Sequence, residues 1–254
     1  MNKRKISAKH FIKDFQDNSD DSHESNNDAC DNSSKKTFDM DNLILNESKS
    51  NILEYDELTE ILNNCSSCQL SDALKGISGS YGVIKGLKPV NNKKTYGKVF
   101  TAKTNPDDWG TSILAIDQAE KGDFLLIDSI GDLIAIWGEL ASKYAENNGI
   151  VGVGIYGASR DIDALINIDF PVFSLNTTPN AGTPKGEGKL NINLNLDDLI
   201  VKPGDFIFGD ESGVVVIPKE LFSEVIYQTN QIKINEMKII EELTKGNSLS
   251  DIVF

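Results

Sequence analysis

Histidine is scarce in this 254-residue chain, and its positions exclude several kinds of active site. The two histidines, His10 and His23, both lie near the amino terminus, so residues 56–254 contain none. A Ser-His-Asp or Cys-His nucleophile and a histidine-ligated transition metal are therefore excluded from that region. Acid–base chemistry there must use carboxylates, lysine, tyrosine or water. A bound metal would be a hard, oxygen-ligated ion such as Mg²⁺ or Mn²⁺.

Cysteine is nearly as rare. Cys30 stands alone, and Cys65 and Cys68 form a single CxxC. Without a second pair or nearby histidines, this motif supplies at most half of a zinc site. An odd number of cysteines without an export signal is typical of a reducing compartment, so we predict a cytoplasmic protein.

Long apolar runs are missing, so no segment predicts a membrane span. The basic start, residues 3–13, is not followed by the apolar region of a signal peptide. The chain has 25 Lys and Arg against 39 Asp and Glu, a net charge of −14, and residues 56–254 carry −11 of it. A region this acidic is poorly suited to contacting phosphate groups. We therefore expect neither nucleic acid nor a membrane as a partner.

Residues 1–55 are crowded with Asn, Ser, Asp and Lys and have few periodic apolar positions. Such a segment cannot bury enough surface to offset its ordering entropy, which predicts a disordered polar tail. Residues 56–254 predict one domain of mixed α/β structure, without an internal repeat.

Alternation of short apolar strands with helices organises the middle of this domain. Strands are predicted at 124–127, 149–157 and 170–176, with helices between them, including one from Gly131 to Tyr144. This order favours parallel strands covered by helices.

The flanking regions are richer in strand. Segments 82–90 and 96–104 predict a strand pair around Asn91-Asn92. Residues 190–218 predict several further strands, with a hairpin turn at Asp210–Gly213, and a long helix is predicted from Lys219.

Opposite charges follow directly on the strand at 149–157. Arg160 and Asp161 come after the turn-like Gly157-Ala158-Ser159, where α/β proteins often place chemistry. Two other interpretations stay open, a solvated turn and a cap in which Asp161 begins the next helix.

Gly138 and Glu139 could complete a site with this pair. If a helix begins near Gly138, its free N–H groups form an anion site, although Glu139 could also be an ordinary surface residue. Twenty residues separate Glu139 from Arg160, about the span needed to return to the same edge of a sheet. A carboxylate for a metal, a guanidinium for a carboxylate and backbone donors for an oxyanion together favour a keto-acid site.

Five long motifs occur in order along the domain. They are QLSDAL (69–74), GDFLLIDSIGDLIAIWGELAS (122–142), GVGIYGASRDIDAL (152–165), FPVFSLNTTPNAGTPKGEG (170–188) and VKPGDFIFGDESGVVVIP (201–218). With these motifs the chain resembles the RraA-like family, which includes ribonuclease activity regulator A and class II 4-hydroxy-4-methyl-2-oxoglutarate aldolases. The resemblance covers about residues 56–254, and the wording is most similar to that of archaeal members.

The resemblance implies a fold, a cofactor and residue roles. The fold would be a swivelling β/α/β-type domain with a mixed sheet, and the cofactor Mg²⁺ or Mn²⁺. Asp161 would hold the metal, largely through water, Arg160 would bind the keto acid and balance the enolate charge, and Glu139 would orient a proton-accepting water. The substrate carboxylate would meet the backbone amides of Gly138, Glu139, Leu140 and Ala141.

The resemblance further implies a homotrimer with sites between subunits, to which Glu236 of a neighbour could contribute. The expected activity is a metal-dependent pyruvate-forming aldolase acting on a small 2-oxo acid, with oxaloacetate decarboxylation as a second reaction. One departure concerns substrate choice, because the aldolases have Asp where this chain has Glu139.

Two rival functions remain. One is a non-enzymatic regulator that binds a partner protein, although regulators of ribonuclease E lack the Asp after Arg that this chain has as Asp161. The other is the demethylmenaquinone methyltransferase activity often attached to this family. No glycine-rich loop followed by an acidic ribose-binding strand supports the methyltransferase.

Overall fold

The structure is a computed structural model that describes residues 55–254. The predicted tail, residues 1–55, lies outside the described residues except for Tyr55. The helices are α1 (Tyr55–Asn64), α2 (Ser67–Ser78), α3 (Gly110–Gln118), α4 (Glu139–Asn147), α5 (Ile162–Asn167), α6 (Phe222–Thr244) and α7 (Leu249–Val253). The strands are β1 (Lys88–Pro89), β2 (Thr95–Lys103), β3 (Asp123–Trp137), β4 (Gly152–Ser159), β5 (Val172–Thr177), β6 (Lys189–Leu190), β7 (Leu194–Leu196), β8 (Leu199–Val201), β9 (Phe206–Asp210) and β10 (Gly213–Ile217).

One mixed sheet forms the centre of the domain, in the order β1-β5-β4-β3-β2-β9-β10, with β6 also pairing with β2. Strands β2 to β5 run parallel, whereas β1, β9 and β10 pair antiparallel with their neighbours. The predicted mixed α/β fold is confirmed. Because β2 to β5 are parallel, their carboxyl ends meet at one edge of the sheet.

Three apolar clusters hold the layers together. Helices α3, α4 and α5 cover one face of the parallel strands, and the separate β7-β8 hairpin covers the other. Helices α1, α2 and α6 pack on β9 and β10. Helix α2 begins with a capping box between Ser66 and Gln69, and it ends at Gly79, whose φ of 77° suits a glycine.

The predicted helix from Gly131 to Tyr144 is wrong, because β3 continues to Trp137 and α4 begins only at Glu139. The strand extension pairs with β4, and the N–H of Ala135 also donates to the carbonyl of Asn180 at 2.8 Å. These long-range hydrogen bonds outweigh the local helical spacing of apolar residues.

The predicted pairing of segments 82–90 and 96–104 is also wrong. Only Lys88–Pro89 is a strand in the first segment, and it pairs with β5 rather than with β2. Asn91, expected in a turn, is buried and donates its side-chain amide to the carbonyls of Leu165 and Phe170 at 3.0 and 2.8 Å. The amide thus anchors the chain beside β5, whereas β2 lies on the far side of β4 and β3.

The turn at Asp210–Gly213 is confirmed, because β9 and β10 form an antiparallel hairpin there. The long terminal helix follows a 3₁₀ turn at Lys219–Leu221. Within residues 55–254, no helix combines the length and apolar character needed to cross a bilayer.

Candidate active site

Arg160 and Asp161 lie directly beyond the carboxyl end of β4. The N–H of Arg160 donates to the carbonyl of Trp137 at 2.9 Å, which holds the pair beside the end of β3. The Arg160 Nε donates to Asp161 Oδ1 at 3.0 Å, and both side chains remain about a third or more exposed. The structure therefore presents a guanidinium and a carboxylate together at the sheet edge where α/β proteins bind ligands.

Asp161 has a left-handed backbone, with φ 58° and ψ 41°, at the N-cap position of α5. Its side chain does not cap α5. Instead, Oδ2 accepts a hydrogen bond from the backbone N–H of Glu139 at 3.2 Å, at the start of α4. Asp161 therefore caps the preceding helix, α4, rather than α5. This hydrogen bond joins the Gly138-Glu139 motif to the Arg160-Asp161 motif.

Gly138 is where the two motifs approach most closely. A Cβ at this position would lie 2.5 Å from Asp161 Oδ2 and 2.9 Å from Arg160 Cγ. The backbone of Gly138 is extended, with φ −166°, so any residue could adopt it. A larger residue here would have to displace the Asp161 and Arg160 side chains, so close contact and not backbone conformation favours glycine.

The first turn of α4 supplies backbone donors. Its N–H groups have no carbonyl partner within the helix, as at any helix start, and Leu140 and Ala141 lie in this turn. Ala141 packs into the core, while the Leu140 side chain is 82% exposed. Trp137 is buried and donates its Nε1–H to the Ser142 hydroxyl at 2.7 Å, so it anchors the helix as a core residue.

The Glu139 carboxylate does not face Arg160. It forms an ion pair with Lys143, one turn further along α4. The structure therefore brings the Glu139 backbone to Asp161. The Glu139 side chain would have to adopt another rotamer for its carboxylate to reach a ligand beside Asp161.

Glu236 lies on α6 and accepts a hydrogen bond from the Gln69 side chain of α2. These helices pack over β9 and β10, away from β4. Glu236 does not line the pocket of its own chain, and its contribution to a neighbouring subunit stays a prediction.

An open pocket of about 390 Å³ lies beside the Arg160–Asp161 pair. Sequence reasoning missed most of its wall, because the chain that follows β5 is brought there only by the pairing of β5 with β4. The lining residues are Arg160, Asp161, Ile162, Asp163, Thr177, Thr178 and Pro179.

The chain that continues from this wall, residues 178–188, forms a strap across the sheet edge. Near its start, Asn180 and Gly182 exchange hydrogen bonds with the backbone of Ala135. At its far end, the backbone N–H groups of Lys185, Gly186 and Glu187 donate to the Asp108 carboxylate at 2.8–2.9 Å.

Asp108 is fully buried and accepts six hydrogen bonds at its carboxylate. Burial acts to raise the pKa of this carboxyl, but hydrogen bonds from Gly186, Thr111, Glu187 and Thr104 bring it well below its usual range. The ionised Asp108 thus fixes the strap that begins at the pocket wall. Its neighbours in sequence gave no indication of this role.

The carboxylate oxygens at the pocket are too few to enclose a metal ion. They fit a Mg²⁺ or Mn²⁺ ion that keeps most of its water ligands. Within the described residues, no cluster of three or more Asp, Glu, Cys or His side chains could hold a metal. Mg²⁺ often binds through one or two carboxylates and keeps several waters. Asp161 uses two acceptor positions on Arg160 and Glu139 and, as a carboxylate, has further lone pairs to offer.

Comparison with known proteins identifies the family. The sequence model of the RraA-like family, described as Aldolase/RraA, matches residues 67–216. An uncharacterised protein of Methanocaldococcus jannaschii is 41% identical over 175 residues, which cover 67% of this chain and 84% of that protein. A protein of Halalkalibacterium halodurans, provisionally named 4-hydroxy-4-methyl-2-oxoglutarate aldolase, is 35% identical over 167 residues, covering 65% and 78%.

The fold has a close counterpart among solved structures. An uncharacterised protein from Pseudomonas syringae pv. tomato matches with a TM-score of 0.69 and 27% identity, over 78% of this chain and 98% of that one. The family match spans more than half of the sequence and includes Arg160, Asp161 and the whole pocket wall. The chain therefore belongs to the RraA-like family, as its motifs predicted.

Proposed function

We propose that this protein is a pyruvate-forming carbon–carbon lyase that cleaves 4-hydroxy-2-oxo acids, an aldolase of the 4-hydroxy-4-methyl-2-oxoglutarate type. The observation that carries the proposal is that Arg160 and Asp161 line the pocket together, with the Asp161 carboxylate held by the Glu139 N–H at the start of α4. The name of the Halalkalibacterium halodurans relative gives it further support.

Substrate binding is assigned to charge and to backbone donors. Arg160, partly exposed beside the pocket, would bind the 2-oxo acid end through charge-assisted hydrogen bonds. The N–H groups of Leu140 and Ala141 would hold the carboxylate at the positive end of the α4 dipole.

A divalent cation held by Asp161, which we propose to be Mg²⁺ or Mn²⁺, would supply Lewis-acid stabilisation of the enolate. Cleavage breaks the C3–C4 bond, whose electron pair stays on C3 in the pyruvate enolate. The 4-hydroxyl loses its proton, C4 becomes the carbonyl of the second product, and C3 is then protonated. Arg160 would balance the enolate charge, and Glu139, once released from Lys143, would orient the water that accepts the hydroxyl proton.

Oxaloacetate decarboxylation is proposed as a second reaction of the same site. It requires the same enolate but no proton acceptor for a 4-hydroxyl group. Loss of the Glu139 carboxylate should therefore impair aldol cleavage more than decarboxylation.

The test is a pyruvate-release assay on purified full-length protein with 4-hydroxy-4-methyl-2-oxoglutarate and oxaloacetate, with Mg²⁺ and with EDTA. Pyruvate should form with Mg²⁺ and be lost with EDTA and in Asp161→Ala and Arg160→Ala. Asp169→Ala is the matched control, because Asp169 precedes β5 at the opposite end from the pocket. No pyruvate from either substrate would contradict the proposal.

A protein-binding regulator is the second candidate. Helix α6 favours it, because Met237 and Ile240 are about 60% exposed and line a groove with Ile234. A partner retained by the full chain after Arg160→Ala and Asp161→Ala, but lost after Met237→Glu, would favour this function.

A further inference from the structure

The two flanks of α4 face different neighbours, because the helix packs against α3 and against α5 on one face of the sheet. Tyr144 donates its hydroxyl to Asp117 of α3, so its flank faces α3. Successive residues turn by about 100° around a helix, which puts Glu139 and Lys143 on the other side of α4. That side faces α5, whose first residues line the pocket.

An ion pair holds Lys143 beside the start of α4. Its ammonium group contacts the Glu139 carboxylate one helical turn away, and the lysine side chain is about half exposed. The backbone N–H of Glu139 is in turn bound to Asp161 at the pocket. Lys143 is the only Lys or Arg of α4, so this helix contributes one cation on its pocket side.

The pocket wall itself offers a single cation to a substrate with two carboxylates. Arg160 is the only Lys or Arg among the seven lining residues, whereas Asp161 and Asp163 both contribute negative charge. With Arg160 at the 2-oxo acid end, a second carboxylate meets no positive charge on this wall. Lys143 supplies one from the flank of α4 that faces it.

We infer that Lys143 binds the second carboxylate of a dicarboxylic 2-oxo acid, and that this carboxylate replaces Glu139 as the partner of the ammonium group. The inference rests on the proposed function, since it places the 2-oxo acid end at Arg160. It deepens that function in two ways. Lys143 makes the site selective for dicarboxylates, and the substrate itself releases the Glu139 carboxylate for its role in proton transfer.

The exchange of one carboxylate for another at Lys143 sets the size and sign of the expected effects. An exposed ion pair changes an affinity by about twofold to fivefold. Removing the lysine charge should weaken dicarboxylate binding by that factor and leave monocarboxylate binding unchanged. Removing the Glu139 charge should strengthen dicarboxylate binding, because the competing carboxylate is gone.

Two matched ligands isolate the second carboxylate. 2-Oxoglutarate and 2-oxopentanoate have the same five-carbon 2-oxo acid frame and differ only in a terminal carboxylate or methyl group. Neither has a 4-hydroxyl group, so neither undergoes aldol cleavage. Calorimetric titration of the full chain with each, in the presence of Mg²⁺, measures binding apart from catalysis.

The wild type should bind 2-oxoglutarate about twofold to fivefold more tightly than 2-oxopentanoate, and Lys143→Met should abolish this preference. Lys143→Arg keeps the positive charge and should keep the preference. Lys93→Met is the matched control, because Lys93 pairs with Asp169 at 2.9 Å at the opposite end of the sheet. It should leave the ratio of the two affinities unchanged.

Glu139→Gln tests the exchange itself. It keeps the backbone N–H that binds Asp161 but frees Lys143, so the preference for 2-oxoglutarate should rise by about twofold. In the Lys143→Met background the same substitution should have no effect on the preference. A wild type that prefers 2-oxopentanoate, a preference that survives Lys143→Met, a Glu139→Gln effect that persists without Lys143, or no binding of either ligand would overturn the inference.

Pyruvate release separates this inference from the proposed function. If the binding preference follows Lys143 but no 4-hydroxy-2-oxo acid yields pyruvate, the ligand class stands and the lyase proposal fails. If 4-hydroxy-4-methyl-2-oxoglutarate is cleaved and Lys143→Met has no effect on the preference, the lyase proposal stands and the assignment of Lys143 fails.

Discussion

The backbone N–H of Glu139 donates to Oδ2 of Asp161 at 3.2 Å, across 22 positions of sequence. This hydrogen bond places the start of α4 against the end of β4. It also orients the carboxylate whose other oxygen accepts from Arg160. The position of the Asp161 side chain therefore depends on α4 as well as on the strand that precedes it.

Gly138→Ala should disrupt this junction. The added methyl group would lie 2.5 Å from Asp161 Oδ2 and 2.9 Å from Arg160 Cγ, so both side chains must move. A displacement of about 1 Å can cost ~10²-fold in rate, and we expect a loss of that order in kcat/KM for pyruvate release. The free energy of unfolding should fall by only about 1–3 kcal/mol, as for other overpacked sites.

Gly76→Ala is the matched control for that change. Gly76 lies in α2 with no atom within 4 Å of its added Cβ. Alanine should stabilise the helix by about 0.5–1 kcal/mol and leave kcat/KM unchanged. Equal activity of the two variants would show that the contact at Gly138 is unimportant.

Asp161→Asn should weaken binding of a divalent cation. Asparagine keeps an oxygen that can accept from the Glu139 N–H but removes the negative charge. We expect Mn²⁺ affinity, measured by water-proton relaxation without substrate, to fall on the order of tenfold. Asp169→Asn should have no effect on this affinity, and an unchanged affinity in Asp161→Asn would argue against Asp161 as the ligand.

Local sequence pattern was enough to predict the parallel core and the position of Arg160 and Asp161. Both predictions need only short segments of sequence: an apolar strand, then a turn, then charged residues. The extension of β3 to Trp137 could not be predicted in this way. Its backbone pairs with β4 and with Asn180 and Gly182 of the strap, partners that are distant in sequence.

The pocket wall likewise combines residues that local sequence predicts with residues whose place depends on distant partners. Arg160 and Asp161 were identified from sequence, but Thr177 to Pro179 were not, because their place depends on β5 lying beside β4. Asp108 was missed entirely. Its role requires backbone N–H groups from residues 185–187 to converge on one carboxylate, and no residue type marks such a convergence in a sequence.

The CxxC motif gives a prediction about reactivity. Burial raises the pKa of the Cys65 thiol to about 11, although the nearby Lys94 acts to lower it, while Cys68 is exposed. At pH 8 iodoacetamide should therefore modify Cys68 in the folded protein and leave Cys65 unmodified, as read by peptide mass spectrometry.

Unfolding in urea should make Cys65 reactive, and Cys68→Ser should remove the fast reaction from this motif. Modification of Cys65 at the rate of Cys68 in the folded chain would contradict the structure. A native disulfide between them would contradict it as well.

Asp108→Asn should destabilise the fold and loosen the strap. An amide has one acceptor oxygen, and its NH₂ group would face backbone N–H donors that now bind a carboxylate oxygen. Replacing a buried, ionised acceptor should cost about 2–4 kcal/mol in the free energy of unfolding at pH 7, measured in urea. The exposed pair of Asp107 with Lys185, at 2.7 Å, gives the matched control, and Asp107→Asn should cost less than about 1 kcal/mol.

The dependence on pH distinguishes this charge from a simple packing defect. Because the folded chain holds the pKa of Asp108 well below its usual range, its stabilising contribution is fully present above the unfolded pKa of about 3.9. The contribution is lost as the pH falls from there toward the folded pKa. The difference in unfolding free energy between wild type and Asp108→Asn should thus be constant from pH 7 to about 5 and shrink by up to about 1.4 kcal/mol per pH unit below about 3.9. A difference that stays constant down to pH 3 would mean that the Asp108 charge contributes nothing beyond the shape of its side chain.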